Sequence, residues 1–97
     1  MTFDEKIIRP FLDDAGRIAQ FPAKRIKQLE VLKYLASKLE PGRVYSQDEV
    51  DAVILDWHTF GDHCLLRRDM CDARLLERDK AGTQYCVVET KGKGIDL

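Results

Sequence analysis

The 97-residue sequence has no long apolar run, no paired cysteine motif and no excess of charge of either sign. Without a stretch of about 18 apolar residues, no membrane span is expected, and the acidic start is unlike a secretory signal. The cysteines are odd in number and form no CxxC pair, so they indicate neither a disulfide framework nor a zinc knuckle: Cys64, Cys71 and Cys86. Sixteen basic and seventeen acidic residues give a net charge of −1, so any binding of nucleic acid must use a local patch. We therefore expect a cytoplasmic protein that needs no cofactor and no metal.

The length and the ordinary apolar content predict one domain, covering residues 1–97 with its core at about 11–88. An arm at residues 1–12 has helical spacing of its apolar residues, but Pro10 should break this helix or restart it as a first-turn proline. A tail at residues 89–97 is rich in lysine and glycine, and we expect it to be flexible.

Three core helices follow the arm. Leucines at helical spacing predict helix one from Ala23 to Leu39. Helix two begins with a clear signal, because Ser46 can cap it and Glu49 can complete a capping box three residues later. Asp62 can cap helix three after a tight turn that contains Gly61. The last two helices are therefore neighbours joined by a short turn.

Two strands complete the predicted fold. The segments Leu75–Asp79 and Gln84–Val88 read as strands around a short loop, in which Gly82 supplies the left-handed backbone that a tight hairpin requires. Three helices, of which the last two are joined by a short turn, followed by a hairpin, is the order of a winged helix-turn-helix. We predict an α+β fold of this winged helix-turn-helix type, with three core helices, a C-terminal β-hairpin and a short N-terminal helical arm.

Three segments also resemble a known family: YSQDEV (45–50), LLRRDM (65–70) and LLERDKAGTQY (75–85). They are similar to the family catalogued as domain of unknown function 2087, over about residues 11–88. The resemblance implies a winged-helix-like domain, found alone or behind a repressor domain of the arsenical-resistance type, and it implies no catalytic residues. The chain has Asp51 where the family pattern has asparagine.

Helix three and the hairpin carry the candidate contacts to DNA. Five basic side chains could reach phosphates or guanine edges: Arg67, Arg68, Arg74, Arg78 and Lys80. Five acidic residues in the same stretch, 62–80, cancel their charge, and helix two adds further carboxylates without any lysine or arginine. In a helix-turn-helix protein this helix crosses the phosphate backbone of DNA, and the phosphates would repel its acidic face. Intramolecular pairs of the helix-three arginines with these acids are therefore an equally good interpretation.

A second basic cluster, Lys24, Arg25 and Lys27, lies at the start of helix one, where positive charge opposes the helix dipole. It could face an acidic partner, although a solvated surface is the simpler interpretation.

The apolar side chains of the arm also allow two interpretations: they dock on a second copy, which would make a homodimer, or they fold over helix one. These side chains are Phe3, Ile7, Phe11 and Leu12.

Metal or thiol chemistry could be sought at four residues: His58, His63, Cys64 and Cys71. Adjacent residues on a helix point about 100° apart, so His63 and Cys64 do not form a metal site by spacing alone. Cys64 also lacks the motif that would activate it as a nucleophile. We expect neither a metal site nor catalytic activity.

The sequence thus predicts a non-enzymatic winged-helix domain that binds double-stranded DNA and regulates transcription, through helix three and the hairpin. The alternative is a protein-interaction module that uses the acidic face of helix two and the basic face of helix one. A positive surface continuous from the hairpin to the start of helix one would favour DNA. Interruption by Asp48, Asp51 or Asp69 would favour the interaction module.

Overall fold

A computed structural model describes residues 3–88. Its elements in chain order are α1 (Glu5–Ile8), a 3₁₀ segment (Arg9–Phe11), α2 (Arg25–Ala36), β1 (Tyr45–Ser46), α3 (Gln47–Asp56), α4 (His63–Asp72), β2 (Leu76–Arg78) and β3 (Gln84–Val87). These residues form a small α+β fold with four α-helices and one three-stranded antiparallel sheet. No helix among them is long and apolar enough to cross a membrane. The tail predicted at 89–97 lies outside the described residues.

The three predicted core helices correspond to α2, α3 and α4. Helix α2 is shorter than predicted, since it begins at Arg25 and ends at Ala36. At its end, the amides of Lys38 and Leu39 donate to carbonyls three residues back, which tightens the chain into 3₁₀ geometry before Pro41. Leu39 is still buried, so the predicted apolar face continues beyond the regular helix.

The sheet contains one strand more than the predicted hairpin. Strands β2 and β3 pair antiparallel, as predicted, around a turn in which Gly82 has a φ of 74°. Strand β1 pairs with the other edge of β3, with Tyr45 opposite Tyr85, so that the strand order is β1-β3-β2. The chain entering α3 is thereby tied to the hairpin that follows α4.

The N-terminal arm is folded over α2. The helix breaks before Pro10, which stands in the first turn of the 3₁₀ segment, as predicted. Ile8 is 1% exposed, and the ring of Phe3 packs edge-on against Tyr34 with 5.2 Å between the ring centroids. The amide of Asp4 donates to the carboxylate of Glu30 on α2 at 2.8 Å. Of the two interpretations of the arm, the structure has the folded one.

One core joins the helices to the sheet. Its fully buried side chains come from every layer and include Leu32, Leu35, Val50, Ile54, Leu66, Met70 and Leu76. Helices α3 and α4 pack on each other, and α4 also contacts α2 and β2. The outer face of α4 is therefore fixed relative to the hairpin, so that side chains on these two elements can form one surface.

The predicted capping box is present at the start of α3. The amide of Glu49 donates to Ser46 Oγ at 3.1 Å, and the amide of Ser46 donates to Glu49 Oε1 at 2.9 Å. We expect Ser46→Ala to lower the free energy of unfolding by about 1 kcal/mol, since one orphan amide loses its acceptor. The melting temperature should then fall by about 4–8 °C. Ser46→Asp keeps an acceptor and serves as the control; equal melting of the two variants would contradict this role.

Candidate nucleic-acid interface

A buried histidine sets the junction between α3 and α4. His58 is 4% exposed, and its Nδ1 donates to the carbonyl of Ile54 at 2.6 Å. Its Nε2 accepts from the amide of Asp62 at 3.0 Å, and the side chain of Asp62 caps α4 by accepting from Leu65. Because Nε2 is an acceptor, the ring is neutral with its proton on Nδ1. His58 therefore positions α4, a role that the sequence did not indicate.

Arg67 lies on the flank of α4 that faces α3. Its guanidinium forms a salt bridge with the carboxylate of Asp51, and the two side chains are only 18% and 15% exposed. His63 Nε2 lies 3.9 Å from the same carboxylate. Arg67, one of the predicted DNA contacts, is thus held in an intramolecular salt bridge with an aspartate of α3.

The opposite flank of α4 faces the start of α2. There the guanidinium of Arg25 lies 3.4 Å from the carboxylate of Asp69. Asp69 stands where the two helices meet, so the basic side chains of α4 do not continue without interruption to the basic cluster of α2. Both flanks of α4 are therefore occupied by pairs of opposite charge.

The other four predicted contacts are exposed: Arg68, Arg74, Arg78 and Lys80. Within residues 3–88, none of them has a carboxylate oxygen within 4.0 Å. Arg68 lies on the face of α4 opposite the buried Leu66 and Met70, by helical geometry. Arg78 lies on β2, and Lys80 in the hairpin turn. We call these four side chains the basic face.

A groove of about 410 Å³ connects two members of the basic face. It runs between the end of α4 and strand β2, and it is lined by Cys71, Arg74, Leu76, Glu77, Arg78 and Val88. Arg78 extends back over the hairpin turn, since its Cδ lies 3.7 Å from the point where a Cβ at Gly82 would stand. Burial raises the pKa of the Cys71 thiol, and the positive charge of Arg78 partly offsets this effect.

An aspartate shapes the hairpin turn from inside. The carboxylate of Asp79 accepts from the amide of Thr83 at 2.9 Å and from the amide of Gln84 at 3.2 Å. The hydrogen bond from Thr83, followed by that from Gln84, lowers the pKa of Asp79 below the ordinary value of 3.8. This acid therefore organises the loop that presents Lys80.

The turn should open in acid. A carboxylate with a depressed pKa in the folded state contributes stability above its unfolded value of 3.8, and that stability is lost as the pH falls through the folded pKa. We expect the amide resonances of Thr83 and Gln84 to titrate together, with a midpoint below 3.8, in NMR spectra. In Asp79→Asn this common titration should disappear. A midpoint at or above 3.8 would contradict the ionised, hydrogen-bonded turn.

The cysteines and the second histidine do not assemble a metal site in the described part of the chain. Cys64 is exposed, and its Sγ lies 3.7 Å from His63 Nε2, closer than the angular separation of neighbouring helix residues suggested. No group of three potential metal ligands occurs in residues 3–88.

The fold and this surface define a small α+β protein whose basic face lies on α4, the turn that follows it and the hairpin, and is flanked by two pairs of opposite charge. Over residues 17–87 the chain matches the family described as an uncharacterized protein conserved in bacteria, domain of unknown function 2087. The chain belongs to that family, as the three sequence segments indicated. No curated protein and no solved structure matches it.

Proposed function

We propose that the protein is a winged-helix domain that binds double-stranded DNA and regulates transcription, with α4 toward the major groove and the hairpin along the adjacent backbone. The order α2, β1, α3, α4, β2, β3 and the strand order β1-β3-β2 support the winged-helix part of this proposal. The observation that carries the DNA-binding part is the basic face: its four cations are exposed and unpaired within residues 3–88, on the two elements that would meet DNA.

The ion pairs on the flanks of α4 reduce the repulsion that the sequence predicted. Asp51 is neutralised by Arg67, and Asp69 by Arg25. Asp48 and Glu49 stand in the first turn of α3, where a carboxylate favourably meets the positive end of the helix dipole. The basic face still has acidic neighbours in the same chain segment: Asp72, Glu77 and Asp79. We therefore expect binding that is measurable at low salt and weakens steeply as salt rises.

Fluorescence anisotropy with random-sequence duplex DNA, in a salt series from about 25 to 200 mM, tests the proposal. The logarithm of the binding constant should fall linearly with the logarithm of the salt concentration. Arg68→Ala should make the slope shallower by about 0.9, the contribution of one phosphate contact. Lys6→Ala removes the same charge from α1, which packs on α2, and should leave the slope unchanged.

Two results would overturn the proposal. One is the absence of binding at about 25 mM salt by protein whose circular dichroism and melting show an intact fold. The other is an equal loss of slope in Lys6→Ala and Arg68→Ala, which would indicate attraction without a defined surface.

A protein-interaction module is the second candidate function, and two observations favour it. Asp69 interrupts the positive surface between α4 and the start of α2, as expected for such a module, and one apolar side chain of α2 is exposed. Ile26 on α2 is 71% exposed, between the basic residues Arg25 and Lys27. An apolar side chain flanked by cations suits a partner surface that is apolar with an acidic rim. Failure of the DNA titration would favour this candidate, and Ile26→Asp would then be the variant to compare in partner capture.

We further propose that the DNA-bound form is a homodimer, since two copies on successive half-sites would double the phosphate contacts of one basic face. Sedimentation velocity of the protein, alone and with duplex DNA, measures this directly. Because the arm is folded over α2, the dimer contact would use another surface.

A further inference from the structure

The residue that follows the C-cap of α4 is an arginine, Arg74, in the left-handed backbone conformation that glycine usually adopts. Arg74 has a φ of 63°, and it is the one non-glycine residue of positive φ in residues 3–88. Its amide donates to the carbonyl of Cys71 at 3.0 Å, and the amide of Leu75 donates to the carbonyl of Met70 at 2.9 Å. These two bonds form a Schellman motif, and its left-handed position, usually glycine, is here Arg74. A side chain there brings Cβ against the backbone, at a cost that glycine avoids.

At the other left-handed positions of residues 3–88 the residue is glycine: Gly16, Gly42, Gly61 and Gly82. The end of α4 is therefore an exception within the same fold. The contacts of Arg74 do not explain the exception, because its side chain is exposed and has no carboxylate within 4.0 Å among the described residues. Its charge does interact favourably with the negative end of the α4 dipole, but a lysine or arginine earlier in the last turn would do so without the backbone cost.

The surroundings of Arg74 indicate a ligand. Arg74 and Arg78 line one groove, between the end of α4 and β2, with Leu76 and Val88 as its apolar part. Arg74 and Arg78 both end in a guanidinium group, which can present paired N–H donors to a phosphate, an arrangement that lysine cannot provide. Glu77 also lines the groove, but within residues 3–88 it forms no salt bridge with either arginine, so both guanidinium groups are available to a ligand with more than one acceptor oxygen. A phosphodiester of the DNA backbone has two such oxygens.

We propose that Arg74 and Arg78 bind the same backbone phosphate of duplex DNA, and that arginine occupies the glycine position of the Schellman motif because of this contact. The inference rests on the proposed DNA-binding function and adds one specific phosphate site to it. It predicts opposite effects of one substitution: Arg74→Gly should make the protein more stable and weaken its binding to DNA.

The experiment compares Arg74→Gly, Arg74→Lys and Lys6→Ala in thermal unfolding and in the DNA salt series. Arg74→Gly should raise the melting temperature by about 3–6 °C, since the backbone cost is relieved. It should weaken DNA binding at low salt by about three- to tenfold. Arg74→Lys retains both the charge and the backbone cost, so its melting temperature should stay near that of the unmodified chain, with binding intermediate between the two.

A double variant tests whether the two arginines share one phosphate. If they do, Arg74→Gly/Arg78→Ala should lose about 0.9 in salt slope, whereas two separate phosphates would give about 1.8. Binding by Arg74→Gly equal to that of the unmodified chain would overturn this inference and leave the DNA-binding proposal intact. A lower melting temperature for Arg74→Gly would also overturn it, because the side chain would then be structural. Absence of DNA binding by the unmodified chain would overturn both proposals.

Discussion

Replacing His58 with alanine is expected to lower the free energy of unfolding by about 2–4 kcal/mol. The substitution leaves a cavity where the ring was, and the Asp62 amide loses its acceptor. The Ile54 carbonyl loses one of its two donors and still accepts from the amide of Trp57. Both groups belong to the junction that sets α4 beside α3. Urea denaturation, followed by circular dichroism, measures the effect as a lower midpoint at an unchanged slope.

His63→Ala is the matched control, because the same residue type lies five positions later with its side chain 33% exposed. It should cost less than about 1 kcal/mol, because the partly exposed ring loses only a long contact with Asp51. A hydrogen-bond role for His58 also predicts that His58→Phe, which fills the space without accepting from the Asp62 amide, does not restore stability. Equal midpoints for His58→Ala and His63→Ala would contradict the structural role of His58.

Local signals in the sequence predicted much of the fold. The side chains of Ser46 and Asp62 each accept from an amide three residues later, so these caps can be predicted without knowing the tertiary structure. The hairpin around Gly82 is local for the same reason. Strand β1 is different, because it is two residues long and pairs with a strand about forty residues later. A strand that short has no alternating pattern, and only the packed fold brings it to β3.

For the candidate site, the sequence suggested residues but not their arrangement. Arg67 and Arg68 are equivalent in the sequence, yet one turns to Asp51 and the other to solvent, since neighbouring helix residues point about 100° apart. The left-handed backbone at Arg74 had no sequence signal, because no glycine marks the end of α4. His58 was considered for its chemistry, whereas its burial depends on how α3 and α4 pack.

Breaking the Arg67–Asp51 salt bridge is the second change expected to have a large effect on stability. Either Arg67→Ala or Asp51→Asn should lower the free energy of unfolding by about 1–3 kcal/mol, because the remaining group is mostly buried and loses its partner of opposite charge. In a double-mutant cycle of Arg67→Met and Asp51→Leu, the double variant should recover most of the loss that each of these single variants shows, since no charge is then left unpaired. Additive losses in the double variant would contradict a coupled pair.

The same pair separates the structural role of Arg67 from a role in DNA binding. Asp51→Asn removes the charge that neutralises Arg67 beside the basic face. We expect this variant to bind duplex DNA more tightly than the unmodified chain, with a salt slope steeper by about 0.9, despite its lower stability. Arg67→Ala should leave the slope of the unmodified chain unchanged, whereas Arg68→Ala lowers it. If Arg67→Ala instead lowers the slope as much as Arg68→Ala does, Arg67 contacts phosphate in the unmodified protein, and DNA competes successfully with Asp51 for its guanidinium.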